Sequence, residues 1–574
     1  MLRKITFIFL LMSAVFLLTG AKRIYTWFNN SGYQYSHEVS MCGAYPSEST
    51  ADKNGKFIPL LSGLGHHHYR IDTKSDSTQI YFDQGLAFYY SYHLTEALAS
   101  FKEAARFDEN CTMAYWGQAL SLGPYYNNYN YKMSPQLPAV LMSLQRTNTG
   151  AVTKENDLIN AMMQRYSSDA TNADRKQLDE RYADAMHKLT VKYPTDNDIK
   201  ALYIDAVMLC HKWDFWSPEG IPRPWTPEVV ALCEEILKTD SLHPAGLHYY
   251  IHLTEASRHP EKALPYADIL KDQMPGVGHM VHMATHSYQR NGLFVKSVVV
   301  NEDANTVYNN VDSIVPSLHL GRNNLVHVYT VQAYCAMNAG IFAKGMPVYL
   351  RARERLIAQA PVFKNSAYAQ FVYMIPQIAY ARLGKWPEIL KGSRPDTQWK
   401  FAVILDDFAK GLAYVHNKNI NSARQCLNDL RDNLSDSLLA VRVMPFNKPQ
   451  QAGQIAADIL SGEILYAEGK TDEAINTLKE AVNEEEKLVY REPQEWFIPA
   501  RQYLGHYLLK SNKAAEAAQV YKDDLVANPE NGWSLVGMYN CMKAQNKLTE
   551  ATSYKLRYEK AFADADTKPV NSVY

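Results

Sequence analysis

The sequence predicts an all-α chain, a right-handed superhelical solenoid of antiparallel helix pairs. Three observations carry that expectation. Glycine and alanine recur at one fixed interval, in Gly85/Ala97, Gly411/Ala423, Gly462/Ala474 and Gly505/Ala517. Apolar residues follow a helical period, with few of the alternating β-branched runs that a half-buried strand needs. Finally, 574 residues exceed what a single core supports, so the chain must build several domains or a repeat array.

Each part of the chain then has its own reading. Arg3 and Lys4 precede an unbroken, mostly apolar run from Ile5 to Leu18, followed by the small residues Thr19, Gly20 and Ala21. That run falls short of the roughly 20 residues a membrane-spanning helix needs, so residues 1–21 are expected to be a secretory signal peptide. An uncleaved N-terminal anchor is the alternative. Export to a periplasmic or extracellular compartment follows, with no membrane span after signal cleavage. Cys42 is too far from the apolar run to accept a lipid there. The seven cysteines are sparse, contain no C-x-x-C and define no disulfide scaffold.

Residues 22–75 form an irregular N-terminal segment without repeat spacing, and carry the triplet His66, His67 and His68. From 76 to 395 an N-terminal solenoid is expected, with a histidine-rich groove and long loops, and from 396 to 574 more regular repeats. In the segment 81–110, small residues at Gly85, Ala97 and Ala104 surround Phe101, a spacing that resembles the tetratricopeptide (TPR) helix pair. Ala481, Tyr521 and Pro529 stand where the TPR repeat places its supporting residues. Two interruptions stand out: the Tyr/Asn-rich stretch 124–138 and the Pro-broken stretch 213–227, which holds three tryptophans. Loops of this kind lie over one face of a helical array, often the binding face. Their tryptophans either stack on a sugar ring or peptide, or pin the loop to the solenoid.

Composition excludes one class of partner. With 59 Lys+Arg against 60 Asp+Glu the net charge is -1, leaving no basic excess for nucleic acid. No H-E-x-x-H, G-x-S-x-G or phosphate-binding G-x-x-x-x-G-K-[ST] occurs, so zincin, α/β-hydrolase and P-loop chemistry are unsupported.

Histidine is where the sequence departs most from an even spread. Of its 18 histidines, His211, His243, His248, His252, His259, His279, His282 and His286 crowd into one short stretch. Their phase matters more than their number. His282 follows His248 by one TPR repeat length, as His286 follows His252, so two successive repeats carry histidine at the same two positions. In the TPR family, the positions occupied by His248, His252, His279, His282, His286 and Glu255 line the concave groove, which predicts an inner wall of imidazoles open to solvent. His327 joins them by its match in phase to His279 across an insertion. His248/His252 and His282/His286 are i,i+4 pairs, the arrangement in which H-x-x-x-H presents two nitrogens to one ion. Glu255, one turn beyond His252, is a third ligand, a partner orienting an imidazole, or a general base toward bound water. A transition metal is therefore expected, and imidazole donors suit zinc, copper, iron or nickel without separating them. Competition by protons is expected near the imidazole value of about 6.5. A polar pocket for an anion or small molecule, and packing alone, are the other readings of the ladder.

YFDQGL at 81–86, CTMAYWGQALSLGP at 111–124, HYYIHLTEAS at 248–257, GHMVHMATHSYQRNG at 278–292, EPQEWFIPARQYLG at 492–505 and NPENGW at 528–533 together resemble a group of large bacterial TPR proteins. That group carries a G-H-x-x-H-M-P-x-H-x-Y-x-R-x-G signature. The resemblance implies the TPR fold and a shared site containing His279, His282 and His286, with Tyr288 and Arg290 on the following turn. Ala284 stands where the group usually has proline. The group carries no assigned activity, so it supplies no substrate. The expected function is binding or transformation of a protein, peptide or small-molecule ligand in a metal-binding groove; the alternative is a non-catalytic protein- or glycan-binding scaffold of the cell envelope.

Overall fold

A computed structural model describes residues 50–128, 131–150, 152–168, 174–315, 320–357, 365–440 and 447–574. The expected signal peptide and Cys42 lie outside the described residues. Among these residues the chain is all-helical, its single bridge pairing Trp216 with Pro222. No described helix is long and apolar enough to cross a membrane. The six described cysteines are free.

The helices form antiparallel pairs of TPR type, and the small residues explain how closely they approach. Phe101 lies between Gly85 and Gly117, where added Cβ atoms would come within 2.6 and 2.4 Å of its ring. Tyr521 lies in the same way between Gly505 and Gly537, at 2.5 and 2.4 Å. One large ring wedged between two glycines thus recurs near both ends of the described solenoid. Gly462 closes on Leu478 of its own pair, whereas Gly411 meets Leu460 of the following pair. The repeated glycine-to-alanine interval therefore marks close approach without fixing which helix approaches. Several helices begin with a capping side chain, as where Ser75 accepts from the Thr78 amide and Asp196 from that of Ile199.

Two features position the site. The Pro244–Thr254 and Gly278–Arg290 helices are buried along their whole length, so their polar residues face protein on every side. The C-terminal repeats also return onto the middle of the chain. Gly292, at φ +70°, lies against the Pro529 carbonyl. Trp533 Nε1 donates to the Asn338 carbonyl at 3.2 Å, and Asp566 accepts from the amides of Phe342 and Ala343. This return closes over the face that sequence phase alone left open.

Candidate metal centre

All six sequence-predicted histidines meet in the interior. His248, His282 and His286 are fully buried, and His252, His279 and His327 expose no more than 3% of their surface. The expected open wall of imidazoles is therefore a closed chamber. The reason is tertiary: Tyr490 and Glu492 from the C-terminal half reach the cluster, the first on Glu255 and the second on His252.

The imidazoles sort into two triads. His248, His252 and His279 bring their nitrogens within 4.8 Å of one another, as do His282, His286 and His327. In the first triad, His248 Nε2 and His279 Nε2 face each other at 3.1 Å. Two nitrogens bound at about 2.0–2.1 Å to one tetrahedral ion would be about 3.3 Å apart, close to this spacing. The His279 and His282 rings, 6.4 Å apart by centroid, connect the triads along one helix.

Hydrogen bonding of the far nitrogens fixes which nitrogen points inward. His248 Nδ1–H donates to the Tyr90 carbonyl at 2.6 Å, His252 Nδ1–H to Glu492 Oε1 at 3.0 Å, and His282 Nδ1–H to Asn301 Oδ1 at 2.6 Å. Asn301 is itself oriented, because its amide nitrogen donates to the Ser297 carbonyl. Each of these rings is held as the tautomer whose Nε2 carries a lone pair. Imidazoles that ligate metal are held in this way by an oxygen on the opposite nitrogen.

Apart from the Nε2 atoms of His248 and His279, which face each other, many polar atoms of the chamber find no hydrogen-bond partner in the protein. His252 Nε2, His279 Nδ1, His282 Nε2, His286 Nε2, both nitrogens of His327 and Glu492 Oε2 are all buried and unsatisfied. Leaving one buried polar atom unpaired costs about 1–3 kcal/mol, so this concentration fits a centre built to hold cations. Nitrogen donors with one or two carboxylates suit zinc, copper or iron.

Glu255 and Glu492 are hydrogen-bonded to each other beside both triads. Glu255 Oε1 lies 3.4 Å from His252 Nδ1, and Glu492 Oε2 lies 3.5 and 3.8 Å from the Nε2 atoms of His286 and His327. Burial pushes the Glu492 carboxyl up to about 7. Burial, and after it the neighbouring charge of Glu492, push Glu255 well above its ordinary value, which favours a proton shared in the pair. Glu255 thus lies among the donors as a proton-holding group, while Glu492, from a distant part of the chain, was missed from sequence. Its segment stood among the motifs carrying the family resemblance, but nothing local tied it to histidine.

Tyr288 and Arg290 are placed differently. The Tyr288 hydroxyl donates to Asp268, outside the donor cluster. Arg290 donates to the carbonyls of Glu255, Ser257 and Ala527, tying the centre to the C-terminal half. Ala284 is buried within an unbroken helix, and His286 reaches the chamber without the proline of the signature.

The aromatic loops wall the chamber. Tyr126 lies 5.2 Å and Trp213 5.6 Å from the His252 ring by centroid, while Tyr92 lies 4.6 Å from that of His248. Trp216 donates to the Leu253 carbonyl, which pins the Pro-broken loop to the solenoid, and Trp225 donates to the Asp214 carbonyl within the loop.

A second cluster lies nearer the surface, where His67 Nε2 is 2.9 Å and His243 Nε2 3.6 Å from Asp198 Oδ1. Here the far nitrogen is wired the other way. His243 Nδ1 caps the Pro244–Thr254 helix by accepting from the Gly246 amide, so the neutral ring carries its proton on Nε2, facing Asp198. That arrangement aims a proton at the carboxylate, although His243 Nε2 stands beyond hydrogen-bond reach of it. His66 and His68 take no part in the triad.

No family model matches the chain, and no curated protein matches it. The fold is similar to solved helical-repeat structures at low identity. The human IFIT1 dimer with m7Gppp-AAAA shares 12% identity over 86% of this chain and 92% of that one, at a TM-score of 0.32. The APC/C hetero-tetramer Cut9–Hcn1 shares 12% over 87% and 77%, at 0.28, and yeast Tom70 11% over 84% and 90%, at 0.27.

Proposed function

We propose that this protein holds a pair of transition-metal ions, one in each histidine triad, and uses them to bind or transform a small ligand. The observation that carries this reading is the tautomer lock. Three far nitrogens are tied to oxygen acceptors, so that three Nε2 lone pairs face inward, that of His248 toward His279 Nε2 and those of His252 and His282 unpaired. His248, His252 and His279 would hold one ion, and His282, His286 and His327 the other. Ions so held supply Lewis-acid or redox chemistry of the kind imidazole-bound zinc, copper or iron performs. Glu492 orients His252 and stands beside the second triad, where it could complete either ligand set. Glu255 shares its proton and can pass that proton to, or take it from, a ligand in the chamber. Tyr92, Tyr126 and Trp213 exclude water. We assign the protein to an exported compartment, periplasmic or extracellular, on the strength of its leader-like residues 1–21. A scaffold reading gains no support from the histidines, since no protein partner can touch a buried imidazole.

Elemental analysis of protein purified without an immobilised-metal resin, which His66–His68 could foul with nickel, tests the proposal. About two ions per chain are expected. His248→Ala and His282→Ala should each abolish stoichiometric retention. His416→Ala should not, because His416 lies in the C-terminal half, stacked on Trp386 at 4.2 Å. Wild-type protein that carries no metal, and takes up neither zinc, copper(II) nor iron(II) in calorimetry, would overturn the reading.

A further inference from the structure

A cleft of about 470 Å³ opens between the Pro-broken tryptophan loop and the C-terminal half. Tyr490 lines it, half-buried. Its hydroxyl points the other way, donating to Glu255 Oε2 at 3.3 Å and accepting from Gln289 Nε2 at 3.0 Å. The Arg290 guanidinium lies 5.1 Å from its ring centroid. One side chain therefore stands between the cleft and the carboxyl pair of the buried centre. Immediately behind it, Glu492 presents an unpaired, fully buried oxygen to His286 and His327.

The charge of the cleft selects what can enter. Glu219, Glu485, Glu486, Glu495, Asp523 and Asp524 line it, against Arg258, Arg290 and Arg501. The arginines are fixed in place, though only Arg501 is paired with a carboxylate. Arg258 donates to the carbonyls of Pro218 and Glu219, Arg290 to three others, and Arg501 pairs with Glu486. Glu486 is taken up by Arg501, Glu495 by Arg491, and Glu485 is buried against the Ala500 amide, which leaves Glu219 and Asp523, both exposed, as the carboxylates at the mouth that meet an incoming cation. Carboxylates thus line the approach from the surface and recur behind Tyr490, and imidazoles follow them.

We infer that this cleft is the loading port of the centre: a hydrated divalent metal ion enters along its carboxylates, Tyr490 swings aside, and Glu255 and Glu492 pass the ion inward to the histidines. The inference rests on the two-ion reading above. It is tested with the full-length protein stripped of metal, using zinc(II) and, in parallel, copper(II), with uptake and release timed against a chromophoric chelator. Tyr490→Phe keeps the ring and removes both hydrogen bonds, so uptake and release should each quicken about tenfold with stoichiometry unchanged. Glu219→Lys and Asp523→Lys, both at exposed positions, should slow uptake about tenfold at low salt, and the difference should fade at about 0.5 M salt. Wild-type rates in all three variants, with wild-type stoichiometry, would overturn the port and leave the centre standing. Failure of the wild-type protein to take up either ion would overturn both.

Discussion

The inner triads and the outer His67–Asp198–His243 cluster satisfy the same test of composition and spacing, yet they are wired for opposite purposes. In the inner triads, oxygen acceptors hold the proton of His248, His252 and His282 on the far nitrogen and turn the near one inward, although His286 Nδ1 accepts from Gln289 Nε2 at 3.4 Å. In the outer cluster a helix amide occupies the far nitrogen of His243, and the near one carries the proton toward a carboxylate. Proximity of donors is therefore a weak guide to metal binding. What the opposite side of each ring touches decides it.

The comparison predicts opposite responses to pH, and the inner response should be the larger. In ion-free protein, burial pushes His282 down to about 4 and His248, His279, His286 and His327 well below their ordinary value. As pH falls below about 6.5 the unfolded chain takes up protons there and the folded chain does not, so stability is lost between about pH 6.5 and 4. His282 alone accounts for about 3 kcal/mol of that loss. Denaturant midpoints of stripped His282→Gln against stripped wild type across this range check it, because buried carboxyls such as Glu492 act in the opposite sense in both; equal pH slopes in the two proteins would mean the imidazole is not desolvated. The same burial should let the loaded protein keep its ions below the imidazole range that the sequence suggested, because protons compete less well for buried nitrogens.

The next effect isolates the tautomer lock. Asn301→Leu removes the acceptor from His282 Nδ1 without touching a donor atom, and should weaken metal affinity about 10–100-fold. Titration against a competing chelator reads this directly. An unchanged affinity would show that the ring needs no orienting oxygen.

The smallest effect belongs to the outer cluster. Burial opposes charge on His67, but its hydrogen bond to Asp198 and the charge there outweigh burial and hold it above its ordinary value. Its contribution is therefore present below about pH 6.5 and lost as pH rises through the raised value. His67→Gln should cost about 1 kcal/mol under mildly acidic conditions and less in alkali, with metal content unchanged. Loss of metal in this variant would erase the distinction between the clusters.

Much of the inner site was legible in the sequence. The offset of one repeat length placed His248 with His282 and His252 with His286, and the match across an insertion brought in His327. It could not divide six histidines into two triads, because His279 joins the first triad and His282 the second although they stand within one turn of the same helix. It also missed Tyr90 and Asn301, whose roles depend on a backbone carbonyl and an amide that carry no pattern of their own.

By itself the sequence determined what helix geometry determines locally: the all-α repeat, the glycines where helices close on large rings, and the faces on which histidines share a phase. Those follow from the helical period and from side-chain size, which act over short stretches of chain. Only the tertiary structure decided that the histidine face is closed, that Glu492 reaches it from the far C-terminal half, and which nitrogen of His248, His252 and His282 turns inward. Burial, desolvation and hydrogen-bond partnership arise where distant segments meet, and no local period records that meeting.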